Sequence, residues 1–526
     1  MKLSARSQTT IRRLFYSVST ALLALAGVLL LTGMMYSASA QERASADRFA
    51  TRANLSYRPL AGGAVDKDLP HVLRSFGASY PNCRFGVGGG VNGFAVADLN
   101  VGVYMDWSAR TAPLRPNGAN YIQMVQIKAD LIAGYRFSPT TDTLYLIMDQ
   151  NPGAVWLIGN EPDSPWQDDL LPETYARAYH HLYDLIKQHD PSVTIGAGSI
   201  VQPTPLRMQY LDQVLDAYRN LYGESLPADL WSIHSYILSE TTNCFSGACI
   251  PPGITATQGI LYKRYDMFST AIFQQRLIDF RTWMRDRGYR DTPLYITEFG
   301  ELYPYPPYIA SPYDDEAGGY ITEDRVATFM TGTFDILLNL SDPSIGYPAD
   351  ANRLVQSWLW YSVSDPGYGG LLFDPTDRKR RPLGDVFAAY TQAISPSVDL
   401  LAVRVIADPG AISYTGQLET TTLKALVSNI GNISITAPIT VAFYSGTSPT
   451  GTLIGSQVIT MGLGGCARTV EVSATWAISE AGAHPMYVQI DPDDMINEVS
   501  KGNNGATGFA LIATQHVYLP AIVKGN

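Results

Sequence analysis

Between residues 84 and 361, eight short apolar runs alternate with longer stretches whose apolar residues recur at helical spacing, and few folds accommodate that alternation. The runs are Arg84 to Gly88, Val101 to Trp107, Tyr121 to Ile127, Ala154 to Gly159, Thr194 to Ser199, Leu230 to Tyr236, Pro293 to Thr297 and Leu354 to Tyr361. Among the intervening stretches, Pro172 to His189 sets Tyr175, Tyr179, Leu182 and Ile186 on one face, and Phe273 to Arg287 does the same with Leu277, Phe280 and Met284. Strand–helix alternation implies parallel strands joined by crossovers, and eight repeats predict a closed (β/α)8 TIM barrel over residues 80–394, with a short first unit.

After Ile394 the helical period disappears. Residues 397–512 carry short alternating segments, such as Leu423 to Val427, Thr440 to Tyr444 and Met486 to Ile490, separated by Gly, Ser, Asn and Pro turns. That pattern predicts an all-β sandwich. Residues 513–526 form a tail containing the apolar Val517 to Val523, an edge strand or a sorting element.

At the other end, Lys2, Arg6, Arg12 and Arg13 precede an apolar run from Val18 to Thr32 and the small residues Ala38-Ser39-Ala40. These are the parts of a secretory signal peptide spanning residues 1–40, with residues 41–79 leading into the barrel. An uncleaved membrane anchor is the alternative. Losing residues 1–40 removes four basic and no acidic side chains and moves the net charge from −11 to −15. So acidic a chain, without a basic block, is a poor partner for nucleic acid or an anionic membrane, and a neutral polysaccharide suits it better.

Two of the apolar runs lead straight into a glutamate: Val155-Trp-Leu-Ile-Gly-Asn-Glu161 and Leu294-Tyr-Ile-Thr-Glu298. A carboxylate at the end of a buried strand is costly unless it has a task. A pair of them has the chemistry to cleave a glycosidic bond, where one carboxylic acid protonates the leaving oxygen and one carboxylate meets the anomeric carbon. Glu161 and Glu298 end the fourth and seventh strands, on the face where such barrels carry their chemistry. Glu301, three residues later in a Tyr/Pro-rich loop, reads as solvated or as part of an outer subsite. Tyr303, Tyr305 and Tyr308 read as a wall over the cleft.

Asn160-Glu161-Pro162, with a glutamate closing strand seven, resembles the clan A glycoside hydrolases, a group of retaining barrel enzymes. The resemblance covers roughly residues 80–392 and implies that Glu161 is the acid/base and Glu298 the nucleophile. It further implies that Asn160 meets the sugar 2-hydroxyl, and that His234-Ser-Tyr236 matches a His-x-Tyr pattern whose tyrosine bonds the nucleophile. Ala425 to Gly431, Val441 to Gly446, Gly482 to His484 and Asp491 to Asp493 through Asn503-Asn504 resemble the CARDB module. That likeness implies an immunoglobulin-like, non-catalytic domain; polysaccharide, the cell wall or only the barrel are the alternatives for what it contacts.

Further substrate-binding candidates are Asp106, Trp107 and Gln126, with Lys128, at the ends of strands two and three, each with local backbone bonding as the alternative. Trp358 and Trp360 alternate on strand eight, and Trp360, nearer the strand end, is the expected sugar platform. Arg353 and Asp365 read as rim residues or as salt-bridge partners. Cys244 and Cys249 are expected to pair in an oxidising compartment. Cys83 and Cys466 are expected to be small buried side chains or free thiols. No Cys or His spacing indicates a metal, His180-His181 reads as a helix-surface pair, and no cofactor is expected. Asp491, Asp493, Asp494 and Glu498 read as turn caps rather than as a calcium loop. A secreted retaining glycosidase is therefore the expectation. A catalytically inactive carbohydrate-binding or adhesive protein of the cell surface is the alternative.

Overall fold

The computed structural model describes residues 80–243 and 248–514. Eight parallel strands close into a barrel: β1 (Asn82–Gly88), β2 (Val101–Met105), β3 (Asn120–Asp130), β4 (Val155–Asn160), β5 (Thr194–Ile200), β6 (Leu230–His234), β7 (Leu294–Phe299) and β8 (Ser357–Tyr361). Each pairs with its chain neighbours, and β8 pairs with β1, closing the ring. An extra strand, Gly134–Ser138, folds back antiparallel on β3. The expected leader, residues 41–79 and the terminal tail lie outside the described residues.

Six helices cover the barrel: α1 (Thr141–Gln150), α2 (Pro172–His189), α3 (Pro205–Tyr222), α4 (Thr270–Asp286), α5 (Glu323–Asn339) and α6 (Pro382–Gln392). The first two crossovers carry only short 3-10 turns, at Val96–Leu99 and Pro116–Gly118, so the barrel has eight strands but six α-helices among the described residues. Proline opens α2, α3 and α6, where the missing N–H has no intrahelical partner to lose. On α2 the buried face is Tyr175, Tyr179, Leu182 and Ile186, the four residues that the helical period selects.

Strand alternation sorts the core into two parts. Phe85, Val87, Trp156, Ile158, Trp231, Ile233, Trp358 and Trp360 point outward against the helices. Val103, Met105, Ile122, Met124, Val155, Leu157, Leu230, Tyr295 and Leu359 fill the barrel interior. The interior is tight enough that a Cβ on Gly86 would lie 2.7 Å from both Leu359 and Val103 side chains.

The C-terminal domain packs the sheet β9 (Leu400–Asp408), β11 (Glu419–Asn429) and β14 (Arg468–Ile478) against a second sheet. That one holds β10 (Ala411–Ser413), β12 (Ile439–Ser445), β13 (Leu453–Ile459), β15 (Gly482–Ile490) and β16 (Gly505–Ala513). Leu400, Leu423, Val441, Phe443, Met486 and Val488 belong to the shared core, as expected of a sandwich.

This domain sits against the N-terminal ends of the barrel strands. Arg84 on β1 pairs with buried Asp350 at 2.5 Å and donates to the Ile430 carbonyl at 2.9 Å. Ser428 donates to the Ala349 carbonyl, and Arg468 to Thr194 at the start of β5. A disulfide joins Cys83 to Cys466, so the expectation of free thiols or simple buried side chains is wrong for both. The two cysteines are 383 positions apart, and only domain docking brings them together. Cys249 is also disulfide-bonded, while its expected partner Cys244 lies outside the described residues.

Candidate active site

At the opposite, C-terminal end of the barrel, β4 and β7 deliver the two glutamates. A straight strand sends alternate residues to opposite faces, so Glu298 would follow Ile296 and point outward. The pairing of β7 with β6 shifts register between Ile296 and Glu298. Thr297 therefore meets Ser199 within the barrel end, Glu298 turns into the cleft, and Phe299 returns outward against Trp360. On β4 the turn is made by Gly159 at φ +85° and Glu161 itself at φ 48°, a left-handed conformation unusual for a non-glycine residue. A Cβ at Gly159 would come within 2.6 Å of the Asp168 carboxylate.

His234, at the end of β6, stands between them. Its Nδ1 lies 2.8 Å from Glu161 Oε1. Its Nε2 lies 3.3 Å from Glu298 Oε1, close enough for an ion pair but not aligned as a hydrogen bond. Complete burial lowers the imidazole pKa, but the charges of Glu298 and Glu161 outweigh it and the net shift is upward. Glu298 accepts a hydrogen bond from Trp107 Nε1 at 2.5 Å and another from the Tyr236 hydroxyl at 2.9 Å. Burial raises the Glu298 pKa, opposed by the His234 charge and by these two donors, with the negative charge of Glu161 adding to the rise.

Glu161, His234 and Glu298 each offer an atom within 4.8 Å of the others. The three donor atoms are of types that bind metals. The hydrogens of Trp107 and Tyr236 point at Glu298 and favour its ionised form.

The remaining expected residues divide. Trp107, Gln126, Asn160 and Glu298 line one cleft of about 370 Å³, with Lys128, Gln167, Asp168, Tyr361 and Asp365. Gln126 donates to the Trp107 carbonyl at 2.8 Å and so fixes the indole that serves Glu298. Asp106 turns away from the cleft: Tyr121 and Arg110 hold its carboxylate.

Trp360 does not take its expected place. It is fully buried against Phe299 and Phe334, with its Nε1 donating to the Gly370 carbonyl, because its strand position faces the helices. Tyr361, one residue on, faces the cleft and packs edge-on against Trp107 and Tyr368. Burial, together with the charges of Asp365, Glu161 and Glu298, raises the Tyr368 pKa.

Glu301 is likewise buried rather than solvated. Its carboxylate accepts the Tyr303 N–H at 2.7 Å, and burial pushes its pKa up to about 7. Tyr305 is buried in the core rather than part of an open wall. Arg353 pairs with Asp350 at the far end of the barrel. His180 stacks on Tyr222 and His181 contacts Tyr135, as a helix-surface pair would. In the sandwich, the Lys501 ammonium bridges Asp491, Asp494 and Glu498 at 2.7–3.0 Å, so these acids are paired internally.

Sequence reasoning missed a supporting layer behind Glu161. Buried Arg207 on α3 pairs with Asp163 and, at 3.0 Å, with Glu240, and donates to the Cys249 carbonyl. Asp168 accepts the Asn160 N–H at 2.6 Å, and burial raises its pKa to about 7. The one sequence signal was the density of acids after the glutamate, in Asp163, Asp168 and Asp169.

Residues 401–508 match the CARDB family model. Among solved structures, the chain is similar to a GH128 endo-β-1,3-glucanase from Sorangium cellulosum, at 17% identity and TM-score 0.37 over 58% of this chain and 98% of that one. A GH128 endo-β-1,3-glucanase from Amycolatopsis mediterranei, in complex with laminaritriose, is similar at 18% identity and TM-score 0.37, with the same coverage. A CARDB domain from Pyrococcus furiosus, in complex with di-metal ions, is similar at 19% identity and TM-score 0.19, over 22% of this chain and 90% of that one. No curated protein matches.

Proposed function

We propose that this chain is an exported retaining glycoside hydrolase that cleaves O-glycosidic bonds of a neutral oligo- or polysaccharide by double displacement. One observation carries the reading: Glu161 and Glu298, at the ends of β4 and β7, have oxygens within 4.8 Å of each other, with His234 against both. Carboxyl groups about 5–5.5 Å apart suit covalent retention, whereas about 6.5–9.5 Å leaves room for an attacking water and inversion.

The roles follow from what each carboxyl touches. Both oxygens of Glu298 face hydrogen-bond donors, Trp107 and Tyr236, an environment built for the ionised form even though burial opposes it. Glu298 attacks the anomeric carbon while Glu161 gives its proton to the leaving oxygen; Glu161 then takes a proton from the water that hydrolyses the glycosyl ester. Esterified Glu298 carries no charge, so His234 is left with Glu161 as its near anionic partner during that second step. The Asn160 side-chain oxygen is buried without a protein partner at the cleft wall, as suits a group that meets a sugar hydroxyl.

Export is supported by the leader-like N-terminus and by a disulfide between two distant cysteines, which persists in oxidising compartments. The test is turnover of aryl glycosides and polysaccharides by protein lacking residues 1–40, beside Glu161→Gln and Glu298→Gln, with NMR of the first-formed anomer. Turnover lost in both variants, with retained configuration, is the expected result. Glycan binding without turnover by the unaltered protein would favour the adhesive alternative.

A further inference from the structure

Trp166 is 71% exposed, and it belongs to the loop that carries Glu161. A protruding indole is unremarkable on a mobile loop, but this loop is tied down along its length. Ser164 N–H donates to the Glu161 carbonyl, Gln167 and Asp169 N–H to that of Ser164, and Leu170 N–H to that of Pro162, all at 3.0–3.1 Å. From outside the loop, Ala129 N–H donates to the Asp168 carbonyl and Lys128 Nζ to that of Gln167. Arg207 holds the Asp163 carboxylate from below. A fixed backbone thus presents a flat apolar ring to water, next to Gln167 and Asp168, which line the cleft.

We propose that Trp166 forms an outer subsite that stacks on a pyranose ring of the glycan on the leaving-group side of the bond being cut. The proposal rests on the glycosidase reading above. A general acid stands beside the glycosidic oxygen, so the departing part of the substrate extends past the Glu161 loop. Five residues on from Glu161, a rigid indole offers the C–H face of a sugar an apolar surface. The substrate is then a chain that continues beyond the scissile bond, rather than one sugar on a small aglycone.

The test compares Trp166→Ala and Trp166→Phe with the unaltered protein. The substrates are laminarihexaose, cellohexaose and xylohexaose and the matching 4-nitrophenyl monoglycosides, and hexasaccharide binding is measured by calorimetry on the same proteins. The expected result is that Trp166→Ala lowers kcat/KM on the cleaved hexasaccharide about tenfold, mainly through KM, and Trp166→Phe less, while nitrophenyl glycoside turnover stays within about twofold. Equal rates on the hexasaccharide, or equal losses on both substrate types, would overturn the subsite. If the unaltered protein binds a hexasaccharide but cleaves nothing, the glycosidase reading fails alone, and about tenfold weaker binding by Trp166→Ala still supports the subsite. Absence of binding and turnover, or binding indifferent to the substitution, overturns it.

Discussion

The Asp168 carboxylate accepts the backbone N–H of Asn160 at 2.6 Å, one residue before Glu161 enters its left-handed turn. Asp168→Ala leaves that N–H without a partner at a point where the glutamate must be held to a fraction of an ångström. We expect kcat to fall by up to about a hundredfold and stability by about 1–3 kcal/mol. Asp168→Asn, which keeps an acceptor, should lose much less, and parallel kinetics and thermal melts check the difference.

Tyr361 and Trp360 are neighbours with opposite duties. Trp360→Ala opens a cavity among Phe299 and Phe334 and should cost about 3–5 kcal/mol in denaturant unfolding. Tyr361→Ala removes a cleft wall and should reduce turnover while costing less stability than Trp360→Ala, because its side chain is only partly buried.

Arg207 neutralises two buried acids behind the site, Asp163 and Glu240. Arg207→Met strands both charges and should destabilise by about 3–5 kcal/mol. Chemical denaturation at pH 7 measures it.

Glu301 titrates near 4.5 in an open chain and at about 7 when buried in the fold. Between those values the folded protein retains a proton that the unfolded chain has released, so stability falls as pH rises through this window. Asp168, moving from 3.8 to about 7, acts in the same direction. Melting temperature should therefore be lower at pH 8 than at pH 5 on account of these two groups. Glu301→Gln, which cannot ionise yet still accepts the Tyr303 N–H, should remove part of that drop.

The Cys83–Cys466 bond ties the start of β1 to the sandwich. Cys83→Ala/Cys466→Ala, or reduction, should lower stability by about 2–5 kcal/mol, read by calorimetry with and without reductant.

Much of the architecture was legible because it rests on local pattern. Eight apolar runs became eight barrel strands, the helical face of α2 was assigned residue by residue, and the change of period after Ile394 marked the sandwich. The two glutamates stood out because a carboxylate following a buried run is conspicuous in one dimension.

What the chain alone left open depends on register and docking. Trp360 and Tyr361 are adjacent, and which of them sees the cleft is decided by strand register, since a shift of one residue exchanges the two faces. The same physics turns Glu298 inward through an irregularity that no local signal announces. The burial of Glu301, the grip of Arg207 on Asp163 and Glu240, and the pairing of Cys83 with Cys466 each join segments distant in sequence. Composition and period determined the elements and the acids that end them; only the closed tertiary structure decided which side chains meet, because burial and charge pairing are set by neighbours in space.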